Sequence, residues 1–180
     1  MADDRTKHMT GLFRDREAAE RGYACLINRG YTSGDASLLL SDETRKRYFP
    51  RDEEPKTELG TKAAEGAGLG AVAGGGLGAL LAGMAAAGFA VPGLPIIAMG
   101  PLAAAFAGGA TGGTLGAIVG ALVGAGIPEE RAQLYDKGIK EGGIVIGVIP
   151  RTDEDAEYFE REWTNAQGEQ IYRPTWPSRR

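Results

Sequence analysis

Residues 66–128 read GAGLGAVAGGGLGALLAGMAAAGFAVPGLPIIAMGPLAAAFAGGATGGTLGAIVGALVGAGIP, a stretch of 63 residues without a charged side chain. Its only hydroxyl side chains are those of Thr111 and Thr114, and Glu65 and Glu129 bound it at either end. The other 117 residues of the chain carry all of its charge. The sequence therefore predicts one apolar module joined to one polar folded module, and the apolar stretch decides how the two are arranged.

Prolines divide the apolar stretch into two parts. Pro92, Pro95 and Pro101 cannot lie inside a helix without the loss of backbone hydrogen bonds. We therefore predict two helices, at about 65–90 and 102–125, joined by a turn over residues 91–100. Each helix would be roughly 36–39 Å long at about 1.5 Å per residue.

The glycines of both predicted helices follow a four-residue period. Rows of small residues allow two helix backbones to approach closely, and this spacing favours a right-handed crossing. In the second predicted helix, the other face carries the large side chains of Leu115, Ile118, Val119, Leu122 and Val123. A flexible linker is the alternative, but flexible linkers are typically rich in Gly and Ser and lack apolar residues at helical spacing. The residues predicted to mediate helix packing and self-association are Gly66, Gly70, Gly74, Gly78, Gly108, Gly112, Gly116, Gly120 and Gly124.

The remainder of the chain predicts an α+β domain. Helix signals follow Asp15, Pro128 and Thr152, and residues 144–149 form an almost unbroken β-branched run. The element order is strand, helix, strand, strand, helix, strand, which is the split βαβ, ferredoxin-like order. The predicted strands are 9–13, 36–40, 144–149 and 170–173, and the predicted domain comprises residues 8–40 and 128–174, with a charged connector at 41–61, the helical hairpin at 62–127 and a tail at 175–180.

The charged connector contains Arg45, Lys46, Arg47 and Arg51, followed by acidic residues 52–54. We interpret it as a solvated loop. A basic contact with lipid headgroups or an acidic partner is the alternative, which the adjacent acids weaken.

The overall charge and the rare residue types limit the possible chemistry. A net charge of −4 gives no electrostatic argument for nucleic acid binding. His8 and Cys25 are the only histidine and cysteine, so the sequence offers neither a His/Cys metal cluster nor a nucleophilic triad. A lone cysteine and a start without an apolar signal segment indicate a reducing, cytoplasmic compartment.

Two further patterns imitate catalytic or cofactor sites. Residues 68–73, GLGAVA, resemble a dinucleotide fingerprint, but they neither follow a strand nor precede an acid at the required distance. Asp153, Glu154 and Asp155 follow the capping residue Thr152, and we interpret them as acids that favour the helix dipole. We therefore predict no catalytic residue, no cofactor and no metal, and hence a protein that is not an enzyme.

Three places in the chain resemble one known family. They are GLFRDREAAE at residues 11–20, the glycine-rich core, and GIPEERAQLY at 126–135 leading into KEGGIVIGV at 140–148. Together they resemble the bacterial general-stress, heat-induced proteins of the YflT type. The resemblance covers about residues 8–150 and implies a ferredoxin-like fold and a stress-response context. It supplies no catalytic residues, and the chain after Trp163 departs from the family pattern.

Two arrangements of the predicted hairpin remain open. In the first, the hairpin is embedded in the membrane and the folded domain lies in the cytoplasm, since each predicted helix exceeds the roughly 20 residues needed to span a bilayer. The wholly apolar turn at 91–100 then favours a re-entrant hairpin over a full span. In the second, the hairpins of a soluble homo-oligomer pack in a shared apolar core. Either way the expected partner is a second copy of the chain, with membrane lipid as a further partner in the first. A small-ligand sensor domain is a third possibility, by fold analogy alone.

Overall fold

The computed structural model describes residues 8–48, 89–90, 96–103 and 116–174 of the 180-residue chain, and these form a mixed α and β structure around a six-stranded sheet. In chain order the elements are β1 (Met9–Phe13), α1 (Arg16–Asn28), β2 (Ala36–Ser41), α2 (Asp42–Tyr48), β3 (Phe89–Ala90), β4 (Ile96–Met99), α3 (Ala117–Gly124), α4 (Glu129–Lys140), β5 (Ile144–Val148), α5 (Asp153–Asn165) and β6 (Glu169–Tyr172).

The strands lie in the order β3-β4-β2-β5-β1-β6, and all neighbouring pairs are antiparallel. β5 lies between β1 and β2, with Val148 opposite both Met9 and Ala36. As a result, β1 and β2 run in the same direction on either side of β5, and α1 connects them. β5 and β6 likewise run parallel on either side of β1, and α5 connects them. The sheet therefore contains two βαβ units, and in each unit a strand of the other unit lies between the two parallel strands.

The elements predicted outside the apolar stretch are confirmed, because their signals are local. Asp15 caps α1 by accepting a 2.8 Å hydrogen bond from the amide of Ala18. Thr152 caps α5 by accepting a 3.1 Å bond from the amide of Asp155. In each case the side-chain oxygen satisfies an amide that the first helical turn leaves without a partner.

Four helices end in the same hydrogen-bonded turn, in which one residue adopts a left-handed conformation. At the ends of α1, α3 and α4 that residue is Gly30, Gly126 or Gly142, with φ of 82°, 87° and 94°. At the end of α5 it is Gln167, with φ of 64°. Glycine adopts this conformation without a steric penalty, so the α5 terminus carries a strain that the others avoid.

The sheet is covered on both faces, which gives three layers. α1 and α5 cover one face, where Phe13, Phe159 and Trp163 are fully buried. α3 and α4 cover the other face together with the short helical turn at 101–103. The residues buried on this second face are Leu12, Leu39, Ala98, Leu102, Ile118, Val119, Ala121, Leu122, Ala125, Ile127, Ala132, Tyr135, Ile139 and Val145.

Two helical glycines are required by close packing. An added Cβ at Gly22 in α1 would lie 2.5 Å from the ring of Phe13, and one at Gly138 in α4 would lie 2.5 Å from Leu12. These distances are too short for real Cβ contacts, so a larger residue at either position would force the tightly packed core around Phe13 or Leu12 to shift.

The prediction of a helical hairpin over residues 62–127 is wrong in its central part. Ile96–Met99, predicted to belong to a turn, forms β4 and pairs with β2 along Leu38–Ser41. β3, at the end of the first predicted helix, pairs with β4 through Ala90 and Ile97. Pro95 and Gly100 flank β4, and its two adjacent isoleucines favour an extended conformation. Gly100 has φ of 76°, and an added Cβ there would collide with the carbonyl oxygen of Ala36.

The second predicted helix is also not continuous. Gly116 has φ of −54° and ψ of 152°, which is not helical, and α3 begins at the next residue. Most of the first predicted helix lies outside the described residues. The connector predicted to be a loop begins with the last residue of β2 and then α2, where Asp42 forms ion pairs with Arg45 and Lys46.

Candidate self-association surface

Three of the glycines predicted to mediate self-association lie in the part of the chain that the structure describes. They are Gly116, immediately before α3, and Gly120 and Gly124 within it. The other six, Gly66, Gly70, Gly74, Gly78, Gly108 and Gly112, lie outside it. Gly116 was predicted inside a helix and instead precedes one, so the row of glycines on a single helix is interrupted there.

α3 has one buried and one outward face. Ile118, Val119 and Leu122 are at most 5% exposed and pack over the sheet and α4. The outward face carries no charged or polar side chain. We call this face, formed by Gly116, Ala117, Gly120, Val123 and Gly124, the α3 outer face.

The glycines of the α3 outer face differ from those elsewhere in the fold. An added Cβ at Gly116, Gly120 or Gly124 would meet no described atom within 4 Å beyond its own helix backbone and chain neighbours. By contrast, an added Cβ at Gly138 or Gly147 would collide with Leu12 or Leu102. The described part of the chain therefore explains the glycines of the sheet and α4 but not those of α3.

A glycine inside a helix is costly when nothing requires it. It destabilises the helix by roughly 0.5–1 kcal/mol relative to alanine. α3 has eight residues, of which Gly120 and Gly124 are two, and Gly116 gives it no side-chain cap. The α3 outer face is thus uncharged and consists mainly of glycine, and these glycines lower the stability of the helix.

A separate polar cluster joins the loop after α1 to the first turn of α5, and no pattern in the sequence indicated it. The Tyr31 hydroxyl donates a 2.7 Å hydrogen bond to Oδ2 of Asp155, and it accepts one of 2.7 Å from the amide of Arg151. Nε of Arg29 donates to Oδ1 of Asp155 at 2.7 Å. Both carboxylate oxygens of Asp155 are therefore hydrogen-bonded, and the cluster fastens two elements together without presenting a reactive group.

The electrostatics of this cluster follow from its contacts. Burial raises the pKa of Asp155, but the hydrogen bonds from Tyr31 and Arg29 and the charge of Arg29 outweigh burial, so the net pKa lies below the ordinary value. Burial raises the pKa of Tyr31 to about 12. The phenol therefore stays protonated and keeps donating to the carboxylate.

A second buried hydroxyl fixes α4 to the sheet. Oη of Tyr135 lies 2.9 Å from Oγ1 of Thr10 and donates a 2.6 Å hydrogen bond to the carbonyl oxygen of Gln170. Tyr135 is fully buried, and burial raises its pKa to about 12. Its hydroxyl thus joins α4 to both β1 and β6.

The described residues contain no group of three or more His, Cys, Asp or Glu side chains placed to hold a metal ion. Cys25 is buried in α1, its thiol donates to the carbonyl oxygen of Gly22 at 3.0 Å, and burial raises its pKa to about 12. Asp153, Glu154 and Asp155 occupy the first turn of α5, as the sequence predicts. Within the described ranges, no helix has the length and apolar character needed to cross a membrane.

Comparisons with known proteins add no further assignment. A scan of the sequence against protein-family models found no matching family, and searches of curated proteins and of solved structures found no match either.

Proposed function

We propose that this chain is a non-enzymatic protein that self-associates through the α3 outer face. One observation carries the proposal. Gly120 and Gly124 weaken α3 on its outer face, and no described atom lies within 4 Å of the positions that their Cβ atoms would take. A contact with another helix backbone explains such glycines, because two helices can approach more closely where small residues lie between them than where larger side chains do.

A second copy of the chain is the partner that fits this face best. A bare, uncharged surface offers nothing for a charged partner to bind, whereas two such surfaces match each other in shape and polarity. Isologous contacts of this kind are the commonest way in which soluble proteins form dimers. Val123 is 37% exposed at the edge of the face and would gain apolar burial in the contact.

The position of α3 supports the shared apolar core over the membrane arrangement. The buried side chains of α3 face the sheet and α4, so this helix has only its outer face left for an external partner. Embedding in the membrane remains the second candidate. The uncharged run of residues 66–88 favours it, because about 20 apolar residues suffice to span a bilayer.

The fold and the biological context belong to the same proposal. The strand order β2-β5-β1-β6, with α1 and α5 on one face, supports a ferredoxin-like unit to which β3, β4, α3 and α4 are added. Residues 11–20 and 126–148, through their resemblance to the YflT-type proteins, support a role in the bacterial general stress response. That role would be exercised by assembly and not by catalysis.

The decisive experiment replaces Gly120 with leucine. An added Cβ at Gly120 meets no described atom within 4 Å, whereas a closely apposed second backbone would exclude a larger side chain. We expect Gly120→Leu to reduce the oligomer to monomer in sedimentation velocity, with an unchanged circular dichroism spectrum. Gln133→Leu adds the same side chain to the exposed surface of α4 and should leave the oligomer intact.

Fractionation of the native protein without detergent distinguishes the two arrangements. Recovery as a discrete oligomer in the soluble fraction supports the shared apolar core, and recovery with membranes supports the membrane arrangement. If Gly120→Leu assembles like the parent at matched concentrations, the α3 outer face is not the contact and the proposal fails.

A further inference from the structure

β6 is the last strand of the described sheet on one side, and it contains a conspicuous irregularity. Thr10 lies opposite Tyr172, and Leu12 lies opposite Glu169, so β6 has one more residue than β1 over the same interval. Gln170, within this interval, has φ of 51°. This combination is a β-bulge with a left-handed residue, a conformation in which glycine is the usual residue.

Contacts from α4 hold the bulge in place. The Tyr135 hydroxyl donates to the carbonyl oxygen of Gln170 at 2.6 Å, from a fully buried position beneath the sheet. Nη1 of Arg131 donates to Oε1 of the same glutamine at 2.7 Å. The backbone carbonyl and the side chain of Gln170 are therefore both directed to α4, and a left-handed conformation unfavourable for glutamine is maintained by two bonds from one helix.

A bulge at a sheet edge has a known physical consequence. A regular edge strand presents a row of unpaired amide and carbonyl groups to which a second chain can add, and a bulge interrupts that row and twists the strand. The other features of β6 act in the same direction. It is four residues long, Glu169 is exposed at its start, and Pro174 follows two residues after its end.

We propose that Tyr135 is an edge-guarding residue, which holds the bulge at Gln170 so that β6 cannot pair with β6 of a second copy. The proposal concerns a different surface from the α3 outer face and does not depend on it. It also separates two ways for the chain to associate, since helix packing through α3 stays available while strand addition is blocked.

Two substitutions release the bulge by independent routes. Tyr135→Phe removes the hydroxyl that binds the Gln170 carbonyl and keeps the ring. Gln170→Val leaves Tyr135 in place and introduces a β-branched residue, for which a positive φ is strongly unfavourable. Both should convert β6 into a regular edge. Gln170→Gly, in contrast, keeps the bulge because glycine adopts a positive φ without a steric penalty. Combined with Tyr135→Phe, it should again prevent strand addition to β6.

The test uses the full-length chain with Glu169→Cys as the reporter, treated with a short bis-maleimide cross-linker. Glu169 is exposed at the start of β6, whereas the native Cys25 is buried, so the engineered thiol is the reactive one. We expect little covalent dimer with Tyr135 and Gln170 intact, at least a fivefold increase with either Tyr135→Phe or Gln170→Val, and a return to the low level with Tyr135→Phe plus Gln170→Gly.

The amide exchange of residues 169–172 supplies a second readout. In the released variants these amides should exchange more slowly at high protein concentration, because strand addition protects them. If Tyr135→Phe does not fold, as judged by circular dichroism, Gln170→Val decides the question by the same two measurements. Equal cross-linking in the chain that carries only Glu169→Cys and in the folded variants that also carry Tyr135→Phe or Gln170→Val would overturn the proposal.

Discussion

The hydroxyl of Tyr31 lies 2.7 Å from Oδ2 of Asp155, and this hydrogen bond joins the loop after α1 to the first turn of α5. The two residues are separated by 124 positions in the chain. The guanidinium of Arg151 stacks on the Tyr31 ring at 4.1 Å from its centroid. The contact therefore links both βαβ units on the face of the sheet that α1 and α5 cover.

Tyr31→Phe should destabilise the protein by about 1–3 kcal/mol, since it leaves an Asp155 oxygen and the Arg151 amide without this partner. The loss should depend on pH. The pKa of Asp155 is lowered in the fold, so its stabilising contribution is present above the ordinary carboxyl pKa and is lost as the pH falls through the folded value. Urea unfolding at neutral and acidic pH measures both effects.

The control for this substitution is Tyr158→Phe, which removes a phenol hydroxyl from α5, the helix that contains Asp155. At neutral pH it should lower the free energy of unfolding by less than Tyr31→Phe does. A Tyr31→Phe penalty of the same size in acid as at neutral pH would contradict the role assigned to the charged form of Asp155.

Gly138→Ala should destabilise the protein by about 1–3 kcal/mol, because the new methyl group would collide with Leu12 and the packed core resists the added volume. Gly120→Ala is the matched change, from glycine to alanine in a helix of the same layer. It meets no described atom and should stabilise the monomer by roughly 0.5–1 kcal/mol. Denaturant midpoints measured at concentrations where the protein is monomeric test the opposite signs.

Gln167→Gly should stabilise the protein by about 0.5–1 kcal/mol, because it removes a side chain from a left-handed position at the end of α5. The converse change, Gly30→Ala at the equivalent position after α1, should destabilise it. Thermal unfolding followed by circular dichroism measures both. A lower melting temperature for Gln167→Gly would show that the glutamine side chain contributes more than its conformation costs.

Cys25 should resist thiol reagents in the native state. Its side chain is 6% exposed, and burial raises the thiol pKa to about 12, so the reactive thiolate is scarce at neutral pH. Labelling by a maleimide should become fast only when the protein unfolds. Because the folded pKa is raised, the associated stability is present below the ordinary thiol pKa and declines as the pH rises above it. Rapid labelling under native conditions would contradict this burial.

The sequence was informative wherever the physical signal is local. Asp15 and Thr152 mark two helix starts, because capping depends on residues only a few positions apart. β4 was missed because no local signal distinguishes it as a strand. A short apolar run between Pro95 and Gly100 fits a turn as well as a strand. It becomes a strand because it pairs with β2 along the edge that β5 does not occupy.

The candidate surface was predicted only in part. The small-residue rows pointed to Gly116, Gly120 and Gly124, but the pattern could not show that Gly116 precedes a helix or that the large side chains of α3 are occupied by the sheet. Nor could it show which glycines are required within the fold. Gly138 and Gly120 look alike in sequence, and only the position of Leu12 distinguishes them.

The sequence by itself determined β1, α1, β2, α4, β5, α5 and β6, together with the uncharged character of the apolar stretch. These properties are set by side-chain polarity and by hydrogen bonds within a few residues. The tertiary structure alone decided the order of the strands, the incorporation of Ile96–Met99 into the sheet, and the pairings of Tyr31 with Asp155 and of Tyr135 with Gln170. Such contacts join residues far apart in the chain, so their existence depends on how the layers pack and not on any local pattern.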